Sequence, residues 1–326
     1  MPGDTDASPR FGNTGGGFQA ILEWGTAVIL LAGAGFAKWA AGLPLARELF
    51  DFKIDPFGQR EQVRLRYVRE LKTSWDAANP SRQSEEFVSY VLNRDPRSAA
   101  AVRWYIVRRL SEPYIWREWH AGRWRRHVLM IDEDRKRERP GVNAVRRYVN
   151  QLTSAGLSGI VTPNYDLLFE YALGSNGFNY GIPGECLHGR GPYPVSQWRS
   201  PVALRGSLPI AKIHGSISWD EEGRYTDGRR GLSGEALIVA PGHGKGAPET
   251  LAREWELTAT LLRAVRRILV FGFAFNPYDT ALLEHLAVNG GTIEEVRIID
   301  VNPNVAAARR VWPHAQVSGD APPHCR

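Results

Sequence analysis

Cysteine is almost missing from these 326 residues: there are two, Cys186 and Cys325, far apart in the chain. Two thiolates cannot build a four-cysteine zinc site, and no metal is expected. Long apolar runs are missing as well. The longest, around Ile29 to Ala34, is about half of the ~20 residues that a bilayer-crossing helix needs, so no membrane span is expected. The N-terminus, "MPGDTDASPRFGNTGGGFQ", lacks the basic-then-apolar order of a secretory signal. It reads as a disordered Gly-rich tail over residues 1–20, which leaves a cytoplasmic location as the expectation. Charge of one sign is not dominant either. The net charge is +6, and residues 101–150 alone supply the excess, with thirteen Arg or Lys against six Asp or Glu.

What is present is enough apolar material, 43% of the chain, for a sizeable core in one large domain or in one domain carrying an insertion. The stretch "VILLAGAGFAKWAAGLPLARELF" at 28–50 reads as a strand, a Gly turn and a helix. From 51 to 150 the pattern becomes helical, as in "EQVRLRYVRELKTSW" and "AAAVRWYIVRRL", and reads as a helical insertion. Strand-like runs then return: "GIVTPNYD" at 159–166, "AKIHGSISW" at 211–219, "ALIVAP" at 236–241, "RILVFGFAF" at 267–275 and "VRIIDVNP" at 296–303. Helical stretches such as "YDLLFEYALG" and "LAREWELTATLLRAVR" separate several of them. Such alternation implies an α/β fold, a Rossmann-like doubly wound parallel sheet built from residues 21–50 and 151–314, with a helical insertion domain between. The Gly- and Pro-rich span from Gly174 to Gly206 reads as loop or cover, and 315–326 as a C-terminal tail.

A Gly-rich turn between strand and helix lets backbone approach a pyrophosphate, whose charge is met by amides at the helix N-terminus. Gly33 and Gly35 fit that role, but Lys38 stands where the dinucleotide fingerprint wants Gly or Ala, and a tight turn serving only packing fits as well. Other polar groups follow strands, and ligands of open α/β sheets bind at the carboxyl ends of strands. They are Asn164 and Asp166 after "GIVT", His214 after "AKI", Gly272 and Asn276 after "RILVF", and Asp300 and Asn302 after "RII". Each also has a plain reading. A His after an apolar strand can be a satisfied core histidine. Asp166 can cap the following helix, and Asp279 is read as such a cap. "GHGK" at 242–245 reads as a flexible loop near the pocket, and His188, His243 and His285 have no metal-ligand spacing. The Arg- and Trp-rich stretch from Trp116 to Pro140 reads as a protein interface, with direct nucleic-acid binding as the runner-up.

The order Gly-Ala-Gly, Asn-Tyr-Asp, His-Gly-Ser, Gly-Phe-x-Phe-x-x-x-Asp, Asp-x-Asn-Pro resembles the sirtuin-like superfamily, and more closely its bacterial NADase branch found in antiphage defence. The resemblance covers residues 26–50 and 158–304. It departs from the deacylases of the superfamily, which carry a four-cysteine zinc module and follow the Gly turn with Asp-Phe-Arg; here Gly42-Leu43-Pro44-Leu45-Ala46-Arg47 follows. The resemblance implies an NAD+ glycohydrolase that releases nicotinamide and ADP-ribose and acts by NAD+ depletion. Asn164 and His214 would be catalytic: Asn164 holding the nicotinamide ribose or orienting water, His214 taking a proton. Gly33, Ala34, Gly35 and Phe36 would cradle the diphosphate, and Asp166 would lie near the carboxamide. Gly272 and Phe273 would line the diphosphate or adenosine side, and Asp300 and Asn302 the adenosine ribose. It further implies control by homo-oligomerisation or by a partner such as a HerA-type ATPase or an Argonaute-system protein. The alternatives are a non-enzymatic NAD+ or ADP-ribose sensor module, and a sirtuin-type deacylase or ADP-ribosyltransferase.

Overall fold

The computed structural model describes residues 27–112, 115–120, 123–128, 140–174, 177–180, 208–220, 236–240 and 249–323. Cys186, Cys325, His188, His243 and the "GHGK" loop lie outside them. Strand β1 (Val28–Ala32) is completely buried. It is followed by α1 (Ala34–Ala41), which ends at Gly42 with φ 67°, the left-handed conformation that a helix C-terminus favours. The insertion contributes α2 (Gln59–Ala78), α3 (Ser84–Leu92) and α4 (Pro96–Ser111). Here α4 opens with Asp95 accepting the Ser98 amide and Pro96 in the first turn, two features that start helices. Phe50, Phe52, Phe87 and Tyr105 pack these helices together.

The helical reading then fails. Ile115–His120 (β2) and Arg123–Val128 (β3) pair antiparallel, with Trp119 opposite Trp124. A Gly-containing two-residue break between two runs rich in Trp and Ile is a hairpin signal that the high Arg content conceals. Helix α5 (Pro140–Ser154) follows. It packs against α1 and against α6 (Leu168–Leu173). Tyr148 meets Phe36 and Trp39, and the Arg146 guanidinium donates to the carbonyls of Tyr171 and Ala172. The expected boundary at 150 therefore falls within a helix that belongs to the core.

The main sheet has seven parallel strands. In chain order the others are β4 (Leu157–Thr162), β5 (Phe178–Asn179), β6 (Leu208–Lys212), β9 (Arg267–Phe271), β10 (Glu295–Ile299) and β11 (Gln316–Asp320). Their spatial order is β11-β10-β9-β1-β4-β6-β5. The fold is thus α/β and doubly wound: the sheet grows one way from β1 through β4 and β6, then the other way through β9 and β10.

Three details differ from the sequence reading. The run at 211–219 breaks at Ile213-His214, and β7 (Gly215–Asp220) leaves the main sheet to pair antiparallel with β8 (Ala236–Ile238). The span read as loop holds the short β5. The expected C-terminal tail supplies an edge strand, β11, paired to β10. Helices α7 (Ala252–Arg263), α8 (Thr280–Asn289) and α9 (Val305–Val311) complete the core, with Leu261 of α7 lying against Gly159 of β4. Among the described residues no helix is long and apolar enough to cross a membrane.

Candidate active site

Sheet growth reverses between β1 and β9, and the carboxyl ends of these two strands flank the crevice where doubly wound folds bind ligands. Three glycines meet there. A Cβ on Gly33 would stand 2.4 Å from the Gly272 carbonyl oxygen, one on Gly35 2.7 Å from Gly272 Cα, and one on Gly272 2.1 Å from the Phe36 nitrogen. Gly272 also has φ 61°. The turns are bonded as well as touching: Gly33 N–H donates to the Phe271 carbonyl and Gly35 N–H to the Gly272 carbonyl, both at 2.9 Å. Phe36 N–H donates to the Gly33 carbonyl at 3.0 Å. Of the amides from Gly33 to Phe36, only that of Ala34 is left outside these bonds. Both readings of the turn therefore have content. The glycines permit close packing of two backbones, and the α1 N-terminus, with no side chain capping it, still presents its dipole and one amide. The Phe36 ring is fully buried, stacked on Phe169 at 5.0 Å and edge-on to Phe271 at 5.1 Å. A ligand at this turn can meet Phe36 only through its backbone.

Strand β4 runs beside β1, so its end shares the same rim. Thr162 Oγ1 donates to the Ala32 carbonyl at 2.7 Å and accepts the Asn164 amide at 3.1 Å. Asn164 Nδ2 donates to the Gly33 carbonyl at 2.9 Å. A carbonyl only accepts, which fixes the orientation of the Asn164 amide and leaves Oδ1 as its acceptor for another group. Asp166 takes up the helix-start position that the sequence allowed it. Its Oδ1 accepts the Leu168 amide at 3.0 Å, at the start of α6, and the residue is buried. Burial pushes its carboxyl up, opposed by the ammonium of Lys212. Lys212 donates to the Asp166 carbonyl and to Glu170 Oε1, which also accepts the Tyr180 hydroxyl. Glu254 takes the Lys212 backbone amide at 2.7 Å. Asp166 thus belongs to a buried charge cluster beneath the rim.

His214 follows β6, the next strand over, and the loops are laced together: Ile213 N–H donates to the Thr162 carbonyl at 3.1 Å and Ile217 N–H to that of Tyr165 at 3.0 Å. The imidazole is nearly enclosed, with its ring 6.4 Å from that of Tyr165. Its Nε2 lies 3.1 Å from Oδ2 of Asp279. Asp279 stands at the start of α8, where it makes no side-chain cap bond. The residue read as a helix cap is the partner of the histidine. At that distance the carboxylate can pair with a protonated ring or accept from Nε2, and it cannot donate to the ring. Spacing in the sequence could not find this pair, because Asp279 comes over the rim from the far side of β1. Nearby, burial together with the carboxylates of Asp279 and Glu85 pushes the Tyr165 phenol up. Its hydroxyl donates to the Val239 carbonyl at 2.8 Å.

The remaining expected residues fall less centrally. Phe273 is buried against Phe275, rings 4.9 Å apart. Asp300 Oδ1 accepts the Asn302 amide at 2.9 Å in a turn at the end of β10. Asp300 and Asn302 share the rim but lie two strands from β1, while Phe273 follows β9, next to β1. His285 is a structural histidine, bonded to the Trp255 carbonyl at 2.9 Å, and burial holds its pKa down.

No protein-family model and no curated protein gives a significant match to the chain. Solved structures of Sir2 proteins do match. One, from work on the mechanism and regulation of Sir2 enzymes, aligns over 94% of this chain and 92% of its own, with 12% identity and a TM-score of 0.45. A mutant Sir2 homologue in complex with ADP-ribose covers 92% and 88%, with 13% identity and a TM-score of 0.40. A Sir2 protein with an inhibitor, 2′-O-acetyl-ADP-ribose and a deacetylated peptide covers the same shares at 13% identity and 0.36. The likeness is distant and extends over most of the chain.

Proposed function

We propose that this protein is an NAD+ glycohydrolase, cleaving NAD+ to nicotinamide and ADP-ribose. The observation that carries the reading is the enclosed His214–Asp279 pair, 3.1 Å apart, on the same rim as an Asn164 side chain locked to the Gly turn. A module that only holds a dinucleotide has no need of an enclosed histidine set against a carboxylate. A hydrolase has.

The chemistry asks for little more. The C1′–N bond breaks with its electron pair passing to the pyridinium ring, so nicotinamide leaves neutral and needs no proton. Water adds its oxygen to the oxocarbenium carbon and gives up a proton to His214 Nδ1, and Asp279 stabilises the imidazolium that forms. Asn164 Oδ1 is the free acceptor that orients the water or a ribose hydroxyl. The α1 N-terminus and the Ala34 amide favour the diphosphate, while Asp300 and Asn302 suit an adenosine ribose further along the rim. The order of motifs supports a role in bacterial antiphage defence through NAD+ depletion, governed by self-assembly or by a partner protein such as a HerA-type ATPase or an Argonaute-system protein.

The test is incubation of the purified protein with NAD+, alone and with its neighbouring gene product, while nicotinamide and ADP-ribose are quantified. Release is expected from the wild type and is expected to vanish in His214→Ala and Asn164→Ala. NAD+ binding without release under both conditions would make the protein a sensor module instead.

A further inference from the structure

The loop that carries Asp279 is under strain and is tethered from outside the sheet. It begins at Gly272 and contains Phe275, which has φ 51°, a left-handed conformation that bulky side chains rarely adopt. Such a conformation persists only where the surroundings over-determine it. Part of that determination is local. The Phe275 ring is buried between Phe273 and Trp312. Asn276 accepts the Tyr278 amide on Oδ1 at 3.0 Å, and its carbonyl accepts the Asp279 amide at 3.0 Å.

The rest comes from the insertion. Asn276 Nδ2 donates to Glu85 Oε1 at 3.3 Å, and the Tyr278 side chain is hydrogen-bonded to Glu86. Both acids stand in the first turn of α3. Helix capping accounts for Glu86, whose carboxylate takes the Gln83 amide and the Arg82 guanidinium. Glu85 accepts its own backbone amide at the helix start, a contact that does not require its reach to Asn276. That carboxyl is half-buried and no cation is paired with it among the described residues. Burial pushes it above its ordinary value. A carboxyl placed at such a cost, against the residue that sets the Asp279 turn, has a use in that contact.

We propose that Glu85 and Glu86 are positioning residues, through which the insertion holds the 272–279 loop so that Asp279 reaches His214. The inference rests on the reading of His214–Asp279 as the working pair, and it gives that pair a control point. Any partner or self-association that shifts α3 relative to the sheet moves the carboxylate away from the imidazole, with no contact to the reacting centre.

The first readout does not depend on activity. A ring N–H held by a buried carboxylate exchanges slowly and gives a downfield proton resonance, assignable here by its loss in His214→Ala. The Glu85→Ala/Glu86→Ala variant is expected to lose that resonance. Glu85→Gln, whose amide oxygen still accepts from Asn276, is expected to keep it. Should the double variant not fold, Glu85→Ala alone carries the same test. In the NAD+ assay the double variant is expected to lower kcat about tenfold or more with KM little changed, the signature of a defect outside substrate binding. A folded double variant, or a folded Glu85→Ala, that retains the slowly exchanging resonance overturns the proposal. If the wild type shows no hydrolysis at all, the resonance still decides the positioning question, so the two readings fail separately.

Discussion

At the scale of single residues, the molecule places ionisable groups where water is scarce and lets their neighbours decide what they do. His214 and Asp279 are the clearest case, each keeping about a twentieth of its surface. Replacing Asp279 by Asn keeps the shape but offers Nε2 an amide that can donate as well as accept, which frees the ring to take the wrong tautomer. Asp279→Asn is expected to reduce kcat by about 10²–10⁴-fold with KM little altered, measured by steady-state nicotinamide release. Glu254 makes a different case. It is fully buried, one oxygen has no partner, and burial raises its pKa well above 4.5. The folded state therefore holds this proton to higher pH than the unfolded chain does. Stability falls as pH climbs from the ordinary carboxylate range toward the raised value, by up to about 1.4 kcal/mol per pH unit. Glu254→Gln cannot ionise, so its melting temperature is expected to decline less over that interval in thermal scans at stepped pH. His214 and Asn164 were legible in the sequence because each follows an apolar strand. Asp279 was legible only as a helix start, since nothing local announces a partner delivered across the sheet.

At the scale of elements, two backbone turns share one space. The β1–α1 turn and the β9 loop approach so closely that Gly35 and Gly272 each exclude a methyl group. Gly35→Ala and Gly272→Ala are each expected to destabilise by about 2–4 kcal/mol in urea titrations. Because the first Cβ already forces the turns apart, the double variant should cost clearly less than the sum. Additive losses would mean that the turns yield independently. The same scale explains which elements the sequence disclosed. β1 and β9 are buried on both faces and read as nearly continuous apolar runs, and β4 and β10 keep short ones, Ile160-Val161 and Ile298-Ile299, as central parallel strands do. β11, with the sequence Gln316-Val317-Ser318-Gly319-Asp320, is a largely exposed edge, and such strands carry no apolar signature. In the hairpin, Arg-rich alternation masked a strand pair as a helix face. α5 was legible as a helix, but periodicity cannot say which body a helix joins; Tyr148 and Arg146 do.

At the scale of the whole molecule, the first strand among the described residues is the one in the middle of the sheet. Val28 pairs with Leu157 on one side and with Arg267 on the other. While the chain is being synthesised, one edge of β1, a row of unpaired N–H and C=O groups between two apolar faces, has no neighbour until β9 has left the ribosome, long after the insertion is complete. Long-range parallel pairing of this kind is intrinsically slow and exposed to aggregation. A fragment ending at Ala264, short of β9, is therefore expected to accumulate in the insoluble fraction or on chaperones, whereas one ending at Asn304 stays soluble; equal solubility in a fractionation assay would refute this. The candidate crevice lies along that same late seam. Gly272 and Asp279 arrive with β9, so the chain cannot assemble a working site before most of it has emerged. On the proposed NAD+-consuming activity, the order of strands is itself a delay: no chain that ends before β9 can hold the completed site.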